Sequence, residues 1–263
     1  MAWFMGIDIG SGTSKGVIIK DGKPVAYHLL PSGVNYKETG EKLRAELLTK
    51  LGLSPKDIAY TIATGYGADR ILFRDDQAAD IRCCARGINS IFPSVRTVID
   101  LQGMASQVIR LNEKGQVINF VVSEKCATGS GRFLDIMANV LRIKLEDIGP
   151  LSLKAKNPVA FTTGCAVFGE SEAISRVSEG ASKEDILAGV HRALAKKVSA
   201  LMERVGLEKD CAISGGGALN IGLVKSMEEE LGIKLLVAPQ PQFVTALGAA
   251  IMAEERHKVA SQV

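Results

Sequence analysis

Two cysteines stand in similar local sequences and are the residues best suited to chemistry. Cys126 lies in residues 124–133 (EKCATGSGRF) and Cys165 lies in residues 163–171 (TGCAVFGES). Each pattern predicts a polar, glycine-bearing turn that leads into a helix. Because unpaired N–H groups and the macrodipole at a helix N-terminus stabilise a thiolate, such positions favour reactive thiols or metal clusters. The other interpretation of either cysteine alone is a small buried hydrophobe.

The helices predicted after these cysteines each carry an apolar face. Helical spacing groups Phe133, Met137, Val140 and Leu141 in the first helix, and Val167, Ile174 and Val177 in the second. The other cysteines, Cys83, Cys84 and Cys211, fall in a predicted helix and a predicted strand. We interpret these three as structural.

Composition indicates a soluble globular protein. The chain has 263 residues, 46% hydrophobic and 23% charged, and its net charge of +3 is spread along the chain. No block of Lys and Arg favours nucleic acid or an anionic membrane surface, and no apolar run approaches the ~20 residues of a membrane-spanning helix. No basic signal-peptide region precedes Asp8. We therefore expect a cytoplasmic protein whose cysteines do metal or redox work rather than form disulfides.

Three glycine-rich turns follow predicted strands, at residues 10–14 (GSGTS), 102–103 (QG) and 215–217 (GGG). Glycine lets backbone N–H groups approach phosphate oxygens because no Cβ stands in the way. The first turn lacks the dinucleotide spacing and leads into a strand, and the P-loop pattern is absent. The set of turns, rather than any one of them, indicates a nucleotide site.

Side chains beside these turns suit a triphosphate. Asp8 is predicted to hold Mg²⁺ through water, and Asp100 to orient the attacking water. Lys15 and the neighbouring hydroxyls would hold the phosphates, while the triple glycine would lie against the adenosine group. The predicted nucleotide-binding residues are Gly10, Ser11, Gly12, Thr13, Ser14, Lys15, Gly103, Gly215, Gly216, Gly217 and Asn220. For each residue alone, a turn or capping role is the competing interpretation.

The order of elements repeats along the chain. Residues 6–10 (GIDIG) and 98–102 (VIDLQ) both place an aspartate near the end of an apolar strand that enters a turn and hairpin. We interpret this as a weak internal repeat of a strand-meander-plus-helix unit. The competing interpretation is that an α/β protein contains two such hairpins without any duplication. Strands and helices mixed in this way predict α/β layers.

Several of these motifs resemble known families. Residues 6–13 (GIDIGSGT), the aspartate strand at 98–103, the glycines at 215–217 and residues 247–250 (LGAA) resemble the acetate-kinase, sugar-kinase and actin superfamily. Residues 63–67 (ATGYG), 125–135 (KCATGSGRFLD) and 165–172 (CAVFGESE) resemble one branch of it. That branch comprises the ATPase activators of 2-hydroxyacyl-CoA dehydratases and the related ATPase subunits of benzoyl-CoA reductases.

The resemblance implies an α/β, two-lobed, actin-like (ribonuclease H-like) ATPase fold. Its duplicated mixed-sheet domains would enclose a nucleotide cleft between them. The first lobe would span residues 1–94 and be completed by a C-terminal helix at about 243–263. The second lobe would span residues 95–242 and carry the cluster cysteines.

The resemblance also implies an ATP-dependent electron donor. One [4Fe–4S] cluster would bridge a homodimer, or a heterodimer of related subunits, through Cys126 and Cys165 of each chain, which agrees with the four thiolates such a cluster takes. Mg²⁺ and ATP or ADP would occupy the nucleotide site. Reduced ferredoxin or flavodoxin would supply the electron, and an iron–sulfur dehydratase or reductase would receive it.

One turn departs from the family pattern. Where the family typically reads Asp-Ile-Gly-Gly-Gln-Asp-x-Lys, residues 100–107 read DLQGMASQ. Asp100 is kept, and Gln102 is predicted to supply the missing amide from a shifted position. The departure leaves open a divergent benzoyl-CoA reductase subunit or a non-hydrolysing scaffold subunit.

A small-metabolite kinase of the same superfamily is a further alternative. Such a kinase needs a base beside its substrate, and no additional Asp or His stands out for that role. We expect His28, His191 and His257 to be surface residues.

Overall fold

A computed structural model describes residues 2–123, 131–161 and 166–261 of the chain. The predicted cluster ligands Cys126 and Cys165 therefore lie outside the described residues. The chain forms two compact units. Unit 1 comprises Met1–Val95, Leu111–Ile118 and Ala238–Val263, and unit 2 comprises Arg96–Arg110 and Asn119–Val237.

Unit 1 combines a mixed sheet with three helices. Its elements are β1 (Trp3–Ile9), β2 (Thr13–Lys20), β3 (Lys23–Pro31), α1 (Tyr36–Leu51), β4 (Ile58–Thr64), β5 (Asp76–Gln77), α2 (Asp80–Ile91) and the C-terminal helix, here α8 (Val244–Ala260). Asn35 caps α1 by accepting a hydrogen bond from the N–H of Glu38, and Gly52 ends the helix in the left-handed conformation. These are the start and stop signals expected of a helix in this sequence.

Unit 2 contains most of the second sheet and the remaining helices, while the Leu111–Ile118 stretch of unit 1 includes the last residue of one strand and the first two of the next. Its elements are β6 (Thr97–Leu101), β7 (Ser106–Leu111), β8 (Val117–Val122), α3 (Gly131–Leu141), α4 (Ile148–Ser152), α5 (Ala166–Ser178), α6 (Lys183–Val205), β9 (Cys211–Ser214), α7 (Ile221–Leu231) and β10 (Leu236–Val237). β10 is a short edge strand of two residues. A short 3₁₀ turn, Gly216–Leu219, precedes α7.

The two sheets have the same topology. The strand order is β3-β2-β1-β4-β5 in the first and, read in the matching direction, β8-β7-β6-β9-β10 in the second. In both sheets the central strand pairs antiparallel with the following strand and parallel with the strand that enters later. The sheets therefore confirm the predicted internal repeat.

Small residues let α8 pack closely in unit 1. A Cβ added at Gly6 of β1 would lie 2.0 Å from the carbonyl oxygen of Ala246, and one at Gly248 would lie 1.7 Å from that of Cys83 in α2. Ala249 and Ala250 are fully buried at the same contact. The LGAA motif thus places α8 directly against β1 and α2.

The core of unit 2 is built around α3, α6 and the sheet. Phe133, Met137 and Leu141 are buried and Val140 packs against them, as the helical spacing predicts. His191 is fully buried in α6, so the expectation of a surface histidine is wrong for this residue. It occupies the core-facing side of the helix, next to Val190 and Leu194. Among the described residues, no helix is long and apolar enough to cross a membrane.

Candidate nucleotide and cluster sites

Asp8 stands at the carboxyl end of β1 and is nearly buried. Its register partners are Lys15 on β2 and Thr64 on β4. Lys15 Nζ lies 3.4 Å from Asp8 Oδ2, so the ammonium offsets the carboxylate charge. The structure thus joins two of the predicted phosphate-site residues in one ion pair.

Asp100 occupies the matching place in unit 2 and is 1% exposed. Its Oδ2 accepts hydrogen bonds from Gln102 Nε2 at 2.9 Å and from Gln107 Nε2 at 2.8 Å. Its Oδ1 accepts a hydrogen bond from Ser214 Oγ at 2.9 Å. The predicted pair Asp100 and Gln102 is therefore in contact, and three neutral donors hold the carboxylate in place.

The repeat aligns the two aspartate sites residue by residue. Asp8 pairs across its sheet with Lys15 and Thr64, and Asp100 pairs with Gln107 and Ser214. In both units the donor lies seven residues after the aspartate. Gln107 was absent from the predicted site, and this equal spacing is the sequence signal that finds it.

A glycine closes each aspartate site. Gly65 and Gly215 both have positive φ, +85° and +81°. A Cβ would lie 2.4 Å from Asp8 Oδ1 at the first position and 2.8 Å from Asp100 Oδ1 at the second. Only glycine suits this backbone and this space. The ATGYG motif and the triple glycine therefore have the same structural role in their two units.

The turn between β1 and β2 presents part of its surface to solvent. Ser11 and Gly12 are exposed and Thr13 is half-buried, whereas Ser14 is fully buried. The N–H of Gly10 donates to the carbonyl of Thr13 at 3.2 Å, which closes the turn. The exposed residues can offer N–H and hydroxyl donors to an anionic ligand.

The turn after β6 is bonded to the start of α3. The N–H groups of Gly131 and Arg132 donate to the carbonyls of Gln102 and Gly103, both at 2.9 Å. A Cβ at Gly103 would meet no atom within 4 Å, so backbone at this point is open to a ligand. The helix that follows the Cys126 segment is thus fastened to the turn beside Asp100.

Asn220 links the third glycine turn to two helices. Its Oδ1 accepts from the N–H of Leu223, which caps α7, and its Nδ2 lies 3.0 Å from His191 Nε2. Since the amide nitrogen donates, the imidazole is neutral with its proton on Nδ1. Burial lowers the pKa of His191 to about 3. Gly217 packs directly on Leu101.

The described cysteines are unsuited to ligation. Cys83, Cys84 and Cys211 are buried, and burial raises the pKa of both Cys83 and Cys211 to about 12. Metal ligation needs the thiolate, which burial disfavours. In the described parts of the chain, no group of three or more His, Cys, Asp or Glu side chains is placed to hold a metal ion.

The helices after the two predicted cluster cysteines pack against each other. α5 begins immediately after Cys165, and α3 begins five residues after Cys126. The two helices are in contact within unit 2. On α5, Ile174 and Val177 are 52% and 47% exposed, so these two residues of the predicted apolar face are not part of the core, while the side chain of Val167 lies outside the described part of the chain.

Residues 5–253 match the model of the BadF/BadG/BcrA/BcrD ATPase family. The chain belongs to this family. The match spans both aspartate sites and the segments of both predicted cluster cysteines. With the shared order of its two mixed sheets, it confirms the predicted α/β, actin-like ATPase fold.

Three proteins illustrate what the chain is similar to. The chain is 42% identical over 254 residues to the (R)-2-hydroxyglutaryl-CoA dehydratase activating ATPase of Acidaminococcus fermentans, covering 96% of this chain and 97% of that one. It is 31% identical over 264 residues to a benzoyl-CoA reductase subunit of Thauera aromatica, covering 96% and 93%. The solved activator of the 2-hydroxyisocaproyl-CoA dehydratase from Clostridium difficile, with bound ADPNP, is 39% identical with a TM-score of 0.94 and coverage of 99% and 97%.

Proposed function

We propose that this chain binds and hydrolyses ATP to drive one-electron transfer into a partner iron–sulfur enzyme that dehydrates a 2-hydroxyacyl-CoA. Membership of an ATPase family and the similarity to dehydratase activators support this proposal. The predicted lobes, residues 1–94 with about 243–263 and residues 95–242, are proposed as the two halves of the ATPase.

Each unit offers groups suited to a nucleotide. The exposed backbone and hydroxyls of Ser11, Gly12 and Thr13, with Lys15, would bind phosphate oxygens. Asp8 would bind Mg²⁺ through water. Asp100 would orient the attacking water, because its carboxylate is fixed by hydrogen bonds and stands beside the open backbone of Gly103.

The observation that carries the proposal is the attachment of α3 to the turn beside Asp100. Two hydrogen bonds join the carbonyls of Gln102 and Gly103 to the first N–H groups of α3. Any shift of this turn when the γ-phosphate binds or leaves would be passed to the helix that follows Cys126. Nucleotide state would thereby act on the cysteine segment through a short covalent and hydrogen-bonded path.

The donor set fits a shared cluster. A [4Fe–4S] cluster takes four thiolates, and burial leaves Cys126 and Cys165 as the two suitable cysteines among the five of this chain. Two chains would therefore meet around one cluster, which would supply low-potential one-electron transfer when bound. The packing of α3 on α5 would hold the two cysteine segments of each chain together. The exposed apolar side chains of α5 would face the second chain.

A role as a subunit of a benzoyl-CoA reductase is the second candidate function. The similarity to the Thauera aromatica reductase subunit favours it. Both candidates share the ATPase and the cluster and differ in the electron acceptor. Electron transfer to a dehydratase or to an aromatic-ring reductase would distinguish them.

The test is anaerobic purification followed by iron, sulfide, oligomer-mass and ATPase measurements. We expect one four-iron cluster per two chains and ATP hydrolysis by the purified protein. Cys126→Ser and Cys165→Ser should each abolish iron binding, and Cys211→Ala, which changes a buried thiol, should retain it. An iron-free wild-type protein, or a cluster that survives Cys126→Ser, would refute the cluster assignment. Absence of ATP hydrolysis and of ATP binding would refute the ATPase.

A further inference from the structure

Ser32 lies just beyond β3, is fully buried and contacts the phosphate turn at three points. Its N–H donates to the carbonyl of Gly12 at 3.1 Å. Its Oγ donates to the carbonyl of Gly10 at 2.6 Å and lies 2.8 Å from Ser14 Oγ. One residue outside the turn therefore contacts the first, third and fifth of its residues 10–14.

The direction of the Ser14–Ser32 hydrogen bond follows from proton counting. A hydroxyl carries one hydrogen, and the Gly10 carbonyl can only accept. The Ser32 hydrogen is therefore used on Gly10, so Ser14 must be the donor in the bond between the two hydroxyls. The chain of hydrogen bonds runs from Ser14 through Ser32 to the turn backbone.

Ser32 is itself anchored to the start of α1. Thr39 Oγ1 donates to the carbonyl of Ser32 at 2.5 Å and lies 3.0 Å from the carbonyl oxygen of Asn35. The residue that supports the turn is thus fixed by a helix rather than by a free loop. The turn takes its shape from buried groups beneath it, while Ser11 and Gly12 stay exposed above.

We propose that Ser14 and Ser32 form a hydroxyl relay that shapes the phosphate turn, and that Ser14 makes no contact with the phosphates. Ser14 is fully buried and its proton is already committed, so it has no donor to offer an anion. This inference rests on the proposed function, because it assumes that the turn binds phosphate. Ser14 and Ser32 are accordingly positioning residues, and Ser11 and Thr13 are the hydroxyls left to contact the ligand.

The test compares the binding of ATP, ADP and adenosine by Ser32→Ala, Ser14→Ala and the double variant. We expect the Kd of ATP and of ADP to rise about tenfold in Ser32→Ala, as for loss of one hydrogen-bonded positioning group. Adenosine carries no phosphate, so its Kd should stay unchanged. The double variant should bind ATP no worse than Ser32→Ala, because either change breaks the same relay.

Ser90→Ala is the matched control. Ser90 Oγ also donates to a backbone carbonyl of unit 1, that of Gly87 at 2.7 Å, but in α2 rather than at the turn. It should leave the Kd of all three ligands unchanged. If Ser32→Ala does not fold, Ser32→Cys tests the relay in its place, since a thiol is a weaker donor, with a smaller rise in the Kd of ATP and none for adenosine.

The other outcomes contradict the proposal in distinguishable ways. Weakened ATP binding in Ser14→Ala with none in Ser32→Ala would show that Ser14 contacts the phosphates directly. Equal losses for ATP and adenosine would show a loss of fold rather than of turn shape. A wild-type protein that binds no ATP would overturn the proposed function, whereas normal ATP binding by both variants would overturn the relay alone.

Discussion

At the scale of single residues, the two aspartate sites differ in how their charge is stabilised. Asp8 has the ammonium of Lys15 at 3.4 Å, whereas the described hydrogen-bond donors to Asp100 are amides and a hydroxyl. A buried carboxylate without a cation depends on such donors, because burial removes its hydration. Gln107 therefore satisfies part of the hydrogen-bonding capacity of the buried Asp100 side chain.

Replacing Gln107 by Leu should lower the free energy of unfolding by about 1–3 kcal/mol, since Asp100 Oδ2 loses a buried donor. Urea unfolding measures this loss. In an Asp100→Ala background the same change should cost much less, because the two side chains act as a pair. Gln116→Leu, at an exposed position, is the control and should have little effect. An equal cost of Gln107→Leu in both backgrounds would contradict the pairing.

Sequence patterns predicted the aspartates and turns better than their partners. Asp8 and Asp100 are visible because each follows an apolar strand and precedes a glycine. Ser32 was missed because its contacts depend on the return of the chain after β3. Gln107 was missed because its spacing from Asp100 gains meaning only when the repeat aligns it with Lys15. The site assignments themselves stay predictions until nucleotide binding is measured.

At the scale of helices, the buried histidine couples α6 to the start of α7. Asn220 caps α7 with one side-chain atom and donates to His191 with the other. The expectation of a surface histidine is wrong because the position of a residue on a helix, rather than its polarity alone, decides whether it is buried. Val190 and Leu194 already place His191 on the apolar side of α6.

The lowered pKa of His191 should be visible in the pH dependence of the free energy of unfolding. Its pKa is about 3 in the folded chain and 6.5 ordinarily, so below pH 6.5 the unfolded chain binds a proton that the folded chain does not. The free energy of unfolding should therefore be flat for this group above pH 6.5 and fall by up to about 1.4 kcal/mol per pH unit below it.

Urea unfolding of His191→Leu between pH 8 and pH 4.5 tests this slope. The variant should be less stable at pH 8, because Asn220 Nδ2 loses its partner, yet lose less stability on acidification. Val198→Ala, another buried change in α6, should keep the wild-type slope. If the free energy of unfolding of wild type and of His191→Leu changed with pH in parallel, the slope could not be attributed to His191.

Close helix packing in unit 1 predicts a severe effect of one methyl group. Gly248→Ala places a Cβ 1.7 Å from the carbonyl oxygen of Cys83, so α8 must move away from α2. We expect a loss of at least about 2 kcal/mol by thermal or urea unfolding. Gly103→Ala, where the added Cβ meets no atom within 4 Å, is the control and should unfold like the wild type. Equal stability of both variants would contradict the packing argument.

At the scale of the whole molecule, the exposed apolar side chains of α5 bear on the proposed dimer. Phe168 is 68% exposed, and Ile174 and Val177 are also exposed along the same helix. Hydrophobic spacing predicted a face that includes Ile174 and Val177 but not Phe168, and it could not tell a core contact from a contact with a second chain. Exposed apolar side chains of this kind commonly mark protein interaction sites.

Phe168→Asp should weaken dimerisation at least tenfold without lowering the free energy of unfolding of the single chain, because a charge would be placed in an apolar contact. Analytical ultracentrifugation of the cluster-loaded protein over a dilution series measures the change. Phe120→Asp alters another exposed aromatic residue, on β8, and should dimerise normally. Unchanged dimerisation of Phe168→Asp would place the contact elsewhere.

Because the strand order is duplicated, the chain contains the same kind of aspartate site twice. Gly65 and Gly215 stand at matching positions, and the space beside each aspartate excludes any larger residue. Lys15 and Gln107 also match, yet they differ, since an ammonium and an amide can both donate to a carboxylate. Comparison of the two halves therefore separates positions that backbone geometry fixes, such as the two glycines, from positions at which the halves differ in their chemistry.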